Sequence, residues 1–486
     1  MKKGIRILAL LAVLTVCCAL LCAAVSAQGE SGALYVSSSG SDDAPGTREA
    51  PLASLAKAVS IAPTHASTTI YVMSDLKMRE PARVWDKHLT ITSLGDTIFT
   101  VKRVAGIAAV RDPARGDYHT ALIEVGATAH ENGEIGDSTL RLERIVLDDD
   151  GIHEGTVFQY ASNDGTGVTG VYQNIQLVQD AIIASYNGAG TITLGNGASL
   201  RNYGGMTAVF LTDGSKLVME RGSVIEDTKT VADRQGDAIR TLKAVVEMQE
   251  GSCIRNLNSV NGINVICAVD FPRSNITING EIVNCDCKKS HVVQLQHSDL
   301  TIGPAAQIHD NTAKYGVIYV QRGAKADVYG KIYDNNVTER GGAISMTNHG
   351  DFSTGEEEIV NFYDGALVRN NKGASTGGGV MVCTGVFTMY GGEISGNTCT
   401  EEGGGVYVRQ GGQFIMHGGV IRENAATTFG GGIALVLSDG GYGAACVQLH
   451  GGEIVNNTHG GASNDLAIAS EGFGHMGRYR YVSDDV

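Results

Sequence analysis

Apolar positions along the second half of the chain follow a period of two within short runs. Val360/Phe362, Phe387/Met389, Phe414/Met416 and Val447/Leu449 each flank one intervening residue just before a glycine corner. After the next glycine cluster come Ile344/Met346, Val380/Val382, Val406/Val408 and Ile433/Leu435. A period of two marks strands with one buried face, and no 3.6-residue helical period accompanies it. A single aliphatic residue marks a third, shorter strand: Leu200, Ile225, Ile254, Ile282, Ile308, Ile332, Leu367, Ile394, Ile421 and Ile454. These positions recur at steps of 24 to 35 residues, the spacing of a solenoid with loop insertions. The pattern predicts an all-β chain: a parallel β-helix with three short strands per coil and coils of about 24–29 residues.

The polar positions name the corners. Gly391-Gly392-Glu393-Ile394-Ser395-Gly396-Asn397 returns as Gly418-Gly419-Val420-Ile421-Arg422-Glu423-Asn424. Glycine reaches positive φ without steric cost, so these pairs read as sharp turns between strands. Three residues after the aliphatic column stand Asn311, Asn335, Asn370, Asn397, Asn424 and Asn457. Asparagine tolerates a left-handed bend, and its amide can bond the amide one coil away to form a ladder. Tyr203, Thr228, Leu257 and Cys285 hold this position in earlier coils, which confines the ladder to 311–457.

The N-terminal third is less periodic. Leu34–Val36 reads as a strand, and Pro51–Val59 reads as a short helix that would cover the open first coil. Strand-like runs follow at Thr69–Met73, His88–Thr92, Ala121–Val125 and Leu140–Leu147. Residues 104–136 are the least periodic.

Before all of this, Lys2, Lys3 and Arg6 precede an apolar run from Ile7 to Val25, and Val25-Ser26-Ala27 supplies small residues for cleavage. Residues 1–27 therefore read as a secretory signal peptide. The expected organisation is one β-helix domain over 28–486: cap and irregular first coils at 28–136, regular coils at 137–470, and a tail at 471–486. The expected location is secreted, extracellular, with or without attachment to the cell surface. No later run is long enough to span a bilayer as a helix.

Without the leader the net charge moves from −15 to about −18, which disfavours nucleic acid as a partner. Glycine, at 65 of 486 residues, is about twice the usual share. The seven cysteines beyond the leader are odd in number and cannot all pair within one chain.

The segment LYVSSSGSDDAPGTREAPLASLAKAVSIA, residues 34–62, resembles the opening of secreted bacterial right-handed parallel β-helix proteins of the pectate-lyase-like superfamily. The later coils are similar to adhesin-like, polymorphic outer-membrane-protein repeats, which alternate GGA[IVL] with FxxN. Gly341-Gly342-Ala343-Ile344 matches the first motif, while isoleucine or leucine replaces the phenylalanine of the second. The resemblance implies architecture more than activity. Enzymes of the superfamily are mostly polysaccharide lyases and glycoside hydrolases, but their residue sets are missing. Val84-Trp85-Asp86-Lys87-His88 only echoes the lyase WxDH element, and Asn348-His349-Gly350 and Thr458-His459-Gly460 only echo the hydrolase GHG.

Two features remain for chemistry. Asp148, Asp149 and Asp150 form the densest acidic turn, with oxygen ligands of the kind Ca²⁺ takes; the plain alternative is a solvated turn. Glu356-Glu357-Glu358 lies on a loop insertion and reads as solvated. The second feature is a column. If Phe387 and Met389 point inward, Tyr390 points outward, and the same alternation exposes Tyr363, His417 and His450, with Tyr329 joining after a one-residue shift. These rings form either a stiffening stack or a platform for sugar rings, with pH-sensitive contacts at the histidines. The expectation is a non-catalytic, adhesin-like protein with no required cofactor, binding a polysaccharide or a host or neighbour-cell protein at Tyr363, Tyr390, His417 and His450. The alternative is a polysaccharide lyase or glycoside hydrolase, Ca²⁺-assisted through the Asp148 turn.

Overall fold

In the computed structural model the described residues are 32–105, 110–111, 118–126, 137–151, 178–185, 190–204, 207–228, 236–258, 264–268, 273–347, 356–438, 445–471 and 480–481. The expected leader, residues 1–27, and much of the irregular 104–136 stretch lie outside them. No helix among the described residues is long and apolar enough to cross a membrane.

The strands stack into parallel sheets around one interior, as the alternation predicts, with the right-handed winding that the resemblance implies. We name the sheets A to D. Among the described residues A has 14 strands, B has 13, C has 15 and D has 8. Each coil runs from A to B to C. The three predicted strands per coil are present, and from Asp286 each coil also carries a two-residue strand of sheet D between B and C.

The aliphatic column is the interior face of sheet B. Leu200, Ile225, Ile254, Ile282, Ile308 and Ile332 stand in successive register. The next member is Val368, not Leu367, because Ile332 pairs with Val368 and Val368 with Ile394. Val368 is fully buried and Leu367 only half-buried. The predicted pairs on either side fill sheets A and C. Phe362, Phe387 and Phe414 stack inside sheet A at centroid distances of 6.0 and 5.5 Å. Each such fully buried side chain contributes about 1.5–3 kcal/mol relative to an exposed one.

The helix, α1 (Leu55–Ile61), starts later than expected. Ser54 caps it by accepting from the Lys57 N–H at 3.2 Å, while Leu52 packs in the core. Leu55, Ala58 and Val59 join the interior at its first coils. The Leu140–Leu147 run is two strands rather than one. Arg144, at φ 47°, turns the chain between Ser138–Glu143 in sheet A and Ile145–Asp148 in sheet B.

The asparagine ladder exists with one change of member. Asn311, Asn335, Asn371, Asn397, Asn424 and Asn457 are all buried. Each Nδ2 donates to the next Oδ1 at 2.9–3.1 Å. Each also donates to the carbonyl of the aliphatic residue one coil back, as Asn397 does to Val368 at 3.0 Å. Asn370 is the residue before the ladder, and it takes the left-handed conformation at φ 54°. The bend is therefore made one position earlier than expected, by Asp310, Asp334, Asn370, Gly396, Glu423 and Asn456. The ladder residue itself faces inward, where its hydrogen bonds are most valuable.

Candidate functional site

The outward ring column forms at the corner from sheet A to sheet B. Val328, Phe362, Met389, Met416 and Leu449 end the sheet A strands in register, pointing inward. The next residue in each coil is Tyr329, Tyr363, Tyr390, His417 and His450, which pleating turns outward. Their rings stack in that order at 4.4, 5.4, 5.5 and 5.0 Å between centroids, within 4–15° of parallel. Tyr390, His417 and His450 are exposed; Tyr329 and Tyr363 are half-buried.

All four residues singled out in the sequence, and Tyr329, share one stripe. Their corner differs from expectation at one point: Tyr363 lies five residues before the interior Val368, where Tyr390, His417 and His450 lie four before theirs and Tyr329 three before Ile332. The extra residue is absorbed in Asp364-Gly365-Ala366, so ring stacking survives a longer corner. Gly392 shows why the corner needs glycine. It sits at φ 79°, and a Cβ there would meet the Ala366 carbonyl oxygen at 2.6 Å.

Stacking changes what the stripe can do. Each inner ring has a neighbour on both faces, so the faces are occupied, and the platform for sugar rings becomes a row of edges. Solvent meets phenol hydroxyls and imidazole nitrogens at about 4.8 Å intervals. Beneath them lies a small polar set: Tyr363 donates its hydroxyl proton to Asp327 Oδ1 at 3.3 Å, and Asn361 Nδ2 donates to the same oxygen at 2.9 Å. Partial burial, with Asp327 nearby, pushes the Tyr363 phenol up to about 12. It stays a neutral donor at any physiological pH.

The acidic turn does not hold an open set of ligands. Asp149 is buried against the Arg103 guanidinium and accepts from the Gly204 N–H at 3.0 Å. Asp148 accepts from Arg201 Nε at 2.9 Å and from Asn202 Nδ2 at 3.1 Å. Asp150 pairs with Lys102 at 3.0 Å. Basic side chains of neighbouring coils already neutralise the carboxylates that a Ca²⁺ ion would need, so the Ca²⁺ candidates Asp148, Asp149 and Asp150 read as structural ion pairs. Among the described residues no group of three His, Cys, Asp or Glu side chains is arranged to hold a metal. Glu358 is buried too, contrary to the solvated reading of its run, and Glu356 pairs with Arg273.

Among the described residues Cys253, Cys285, Cys287, Cys383, Cys399 and Cys446 are free thiols. Burial pushes Cys253 and Cys285 up to about 12 and Cys383 and Cys399 up to about 11, so none of these four is a ready nucleophile.

Two buried carboxyls were not singled out from sequence. Glu124 lies on the outer register column of sheet C, bonded to Arg83 Nε at 3.0 Å. Asp237 accepts from the Asn264 backbone N–H at 3.1 Å and its Nδ2 at 3.0 Å. Desolvation raises both pKa values above the ordinary carboxylate value, against the opposing pull of Arg83 and Arg240. Their signal lay in partners distant in sequence, which no local motif carries.

No family model matches the chain, and no curated protein matches it. Among solved structures it is similar to native GH136 lacto-N-biosidase from Eubacterium ramulus. The identity is 11%, the alignment covers 89% of this chain and 67% of that one, and the TM-score is 0.35. The selenomethionine form gives 12%, 90%, 68% and 0.33. XylC in complex with xylose gives 10%, 86%, 69% and 0.23. The class of this protein, a parallel β-helix, rests on its own strand registers.

Proposed function

We propose that this is an extracellular, non-catalytic β-helix protein that binds glycans along the Tyr329–His450 stripe. The single observation behind this reading is the unbroken stack of five rings on one outer corner, three of them exposed. A stack needed only for stiffness would gain from burial, whereas this one opens towards its C-terminal end. Ring edges present hydroxyl and imidazole groups that match the hydroxyls of a sugar chain, so the contacts are hydrogen bonds rather than stacking on ring faces. Each contact is weak, and affinity grows with the number of coils engaged. The test is glycan-array binding by the wild type and by a Tyr363→Ala, Tyr390→Ala double variant. Lost binding, by a variant whose Tm shows it folded at the assay temperature, supports the reading. Unchanged binding with a lower Tm reduces the stripe to a stiffening stack.

One observation favours a second reading, a glycoside hydrolase. Glu124 combines a raised carboxyl pKa with Arg83, whose guanidinium lies 5.5 Å from the ring of Trp85, the only tryptophan. A carboxyl of raised pKa, bonded to a guanidinium that reaches an aromatic ring, suits a general acid at a sugar subsite. Such chemistry takes two carboxyl groups roughly 5–10 Å apart. The adjoining register positions hold Arg83, Ala184 and Phe210, none of them acidic. Release of reducing sugar by the wild type, lost in Glu124→Gln, would promote this reading over the first.

A further inference from the structure

The ring stripe has a neighbour on the same corner. In the coils before Tyr329, its register position is held by Glu220, Gln249, Asn279 and Gly303, each following the last inward residue of a sheet A strand. No rings stand there, and the surface sinks into a groove of about 430 Å³. Gly303 stands against its Asn279 wall: a Cβ at that position would lie 2.0 Å from Asn279 Oδ1, so a side chain there would displace the amide. The groove ends at Lys331, two residues from Tyr329, so groove and stripe form one continuous track.

The side chains on this track are polar and their charges cancel. Arg221 pairs with Glu250 at 3.0 Å. Glu281 is held by His309 Nε2 at 3.0 Å, with the Cys253 thiol 3.6 Å from its other oxygen. Lys331 takes no ion-pair partner among the described residues, and the Gln307 carboxamide accepts from the Tyr333 hydroxyl at 2.9 Å, leaving its N–H₂ free to donate. A volume of this size is in the range of small-ligand sites. A groove with donors and acceptors but no net charge, on a protein of net charge −15, suits a neutral, hydroxyl-rich ligand better than a uronate.

We infer that this groove is a second saccharide subsite, continuous with the ring stripe, that receives the end of a neutral oligosaccharide lying along the corner. The inference rests on the glycan-binding reading of the stripe. From Arg221 to Tyr329 is four coil steps, roughly 19 Å at the usual strand spacing. Only a ligand several sugars long can reach both regions, so the groove adds affinity for long chains and none for short ones.

The test measures binding of neutral hexasaccharides of xylose, of glucose and of the lacto series, and of the corresponding disaccharides, by calorimetry. The wild type and the Tyr363→Ala, Tyr390→Ala ring variant are compared with two groove variants: Ala305→Trp, which fills the groove from its half-buried wall, and Lys331→Ala with Gln307→Ala, which removes two of its donors. Both groove variants keep the interior column intact, and their Tm is measured alongside. Expected is a loss of about three- to tenfold for the best-bound hexasaccharide in both variants, the value of one or two hydrogen bonds, with disaccharide binding unchanged. Trigalacturonate is expected not to compete. Wild-type hexasaccharide affinity in both groove variants, with loss in the Tyr363→Ala, Tyr390→Ala variant, overturns the groove and leaves the stripe standing. Wild-type affinity in the ring variant overturns the stripe and the inference with it.

Discussion

Asn457 Nδ2 donates to Asp465 Oδ1 at 2.8 Å, and the Asn457 backbone N–H donates to the same oxygen at 2.9 Å. A carboxylate thus supplies the acceptor that the next asparagine of the ladder would have supplied. The buried amide row ends satisfied at its last asparagine.

Removing an amide from the middle of that row is expected to cost more than removing its end. Asn397 Oδ1 accepts from Asn371 N and Nδ2, and its Nδ2 donates to Val368 and Asn424. Asn397→Ala leaves buried groups unpaired on both sides, at about 1–3 kcal/mol for each stranded group. Asp465→Ala strands one side only and should fray the last coil locally, as solenoids do. Asp465→Asn should restore it. Chemical denaturation measures the first, and amide exchange over residues 446–468 the second. Equal global loss in both variants would contradict a directional ladder. Asn202 lies outside the ladder, but it is left-handed at φ 55° and bonds Asp148, so Asn202→Ala should cost stability too.

Most of the coil was legible because its signals repeat. Interior positions recur in pairs, and a one-residue slip would expose every one of them. Where two neighbours are chemically alike, legibility stops. Leu367 and Val368 are both aliphatic, and Asn370 and Asn371 are both amides, so only the register with Lys331 and Ile332 tells which of each pair faces inward. The Arg144 break was hidden because a left-handed arginine has no sequence signature. Asp465 was hidden because it stands 8 residues beyond Asn457, outside any period. At the candidate site, alternation placed the rings on one face, but it could not tell that stacking would occupy their faces. Nor could it bring Arg103 and Arg201 to the Asp148 turn.

That turn gives a direct test. Because Arg103, Arg201 and Lys102 already neutralise its carboxylates, Ca²⁺ at millimolar concentration is expected to leave the Tm unchanged, and EDTA to do the same. Asp149→Ala should destabilise by about 3–5 kcal/mol, since it leaves the Arg103 charge buried without a partner. A Ca²⁺-dependent rise in Tm that Asp148→Asn removes would restore the metal reading.

Stability should also fall with pH on account of the buried carboxyls. The folded pKa values of Glu124 and Asp237 are raised above the ordinary value of about 4. A raised folded pKa means that the native state holds the proton more tightly than the unfolded chain. The stabilisation is full below the unfolded pKa and is lost as pH rises through the folded one. Asp237→Asn should therefore flatten the pH dependence of the unfolding free energy between the ordinary carboxylate range and neutrality. Arg240, half-buried, can turn its guanidinium away from the new amide. An unchanged slope would mean that Asp237 is ionised in the folded protein throughout.

The ring stripe can be resolved atom by atom. Tyr390 stacks between Tyr363 and His417, and aromatic pairs add about 0.5–1.5 kcal/mol beyond their area burial. Tyr390→Ala loses two pairs on an exposed surface and should cost roughly 1–2 kcal/mol. His450→Ala loses one and should cost less. Tyr390→Phe keeps both stacks and deletes only the hydroxyl, so its Tm should match the wild type. If a glycan meets the ring edges, Tyr390→Phe still loses one hydrogen bond to it, about 0.5–1.5 kcal/mol or roughly two- to tenfold in affinity. If a glycan instead stacked on an open ring face, Phe would serve as well as Tyr and affinity would hold. Calorimetric titration of Tyr390→Phe, beside its melting curve, therefore separates an edge-on ligand from a face-on one. Unaltered affinity would refute the edge-on geometry that the stacking distances impose.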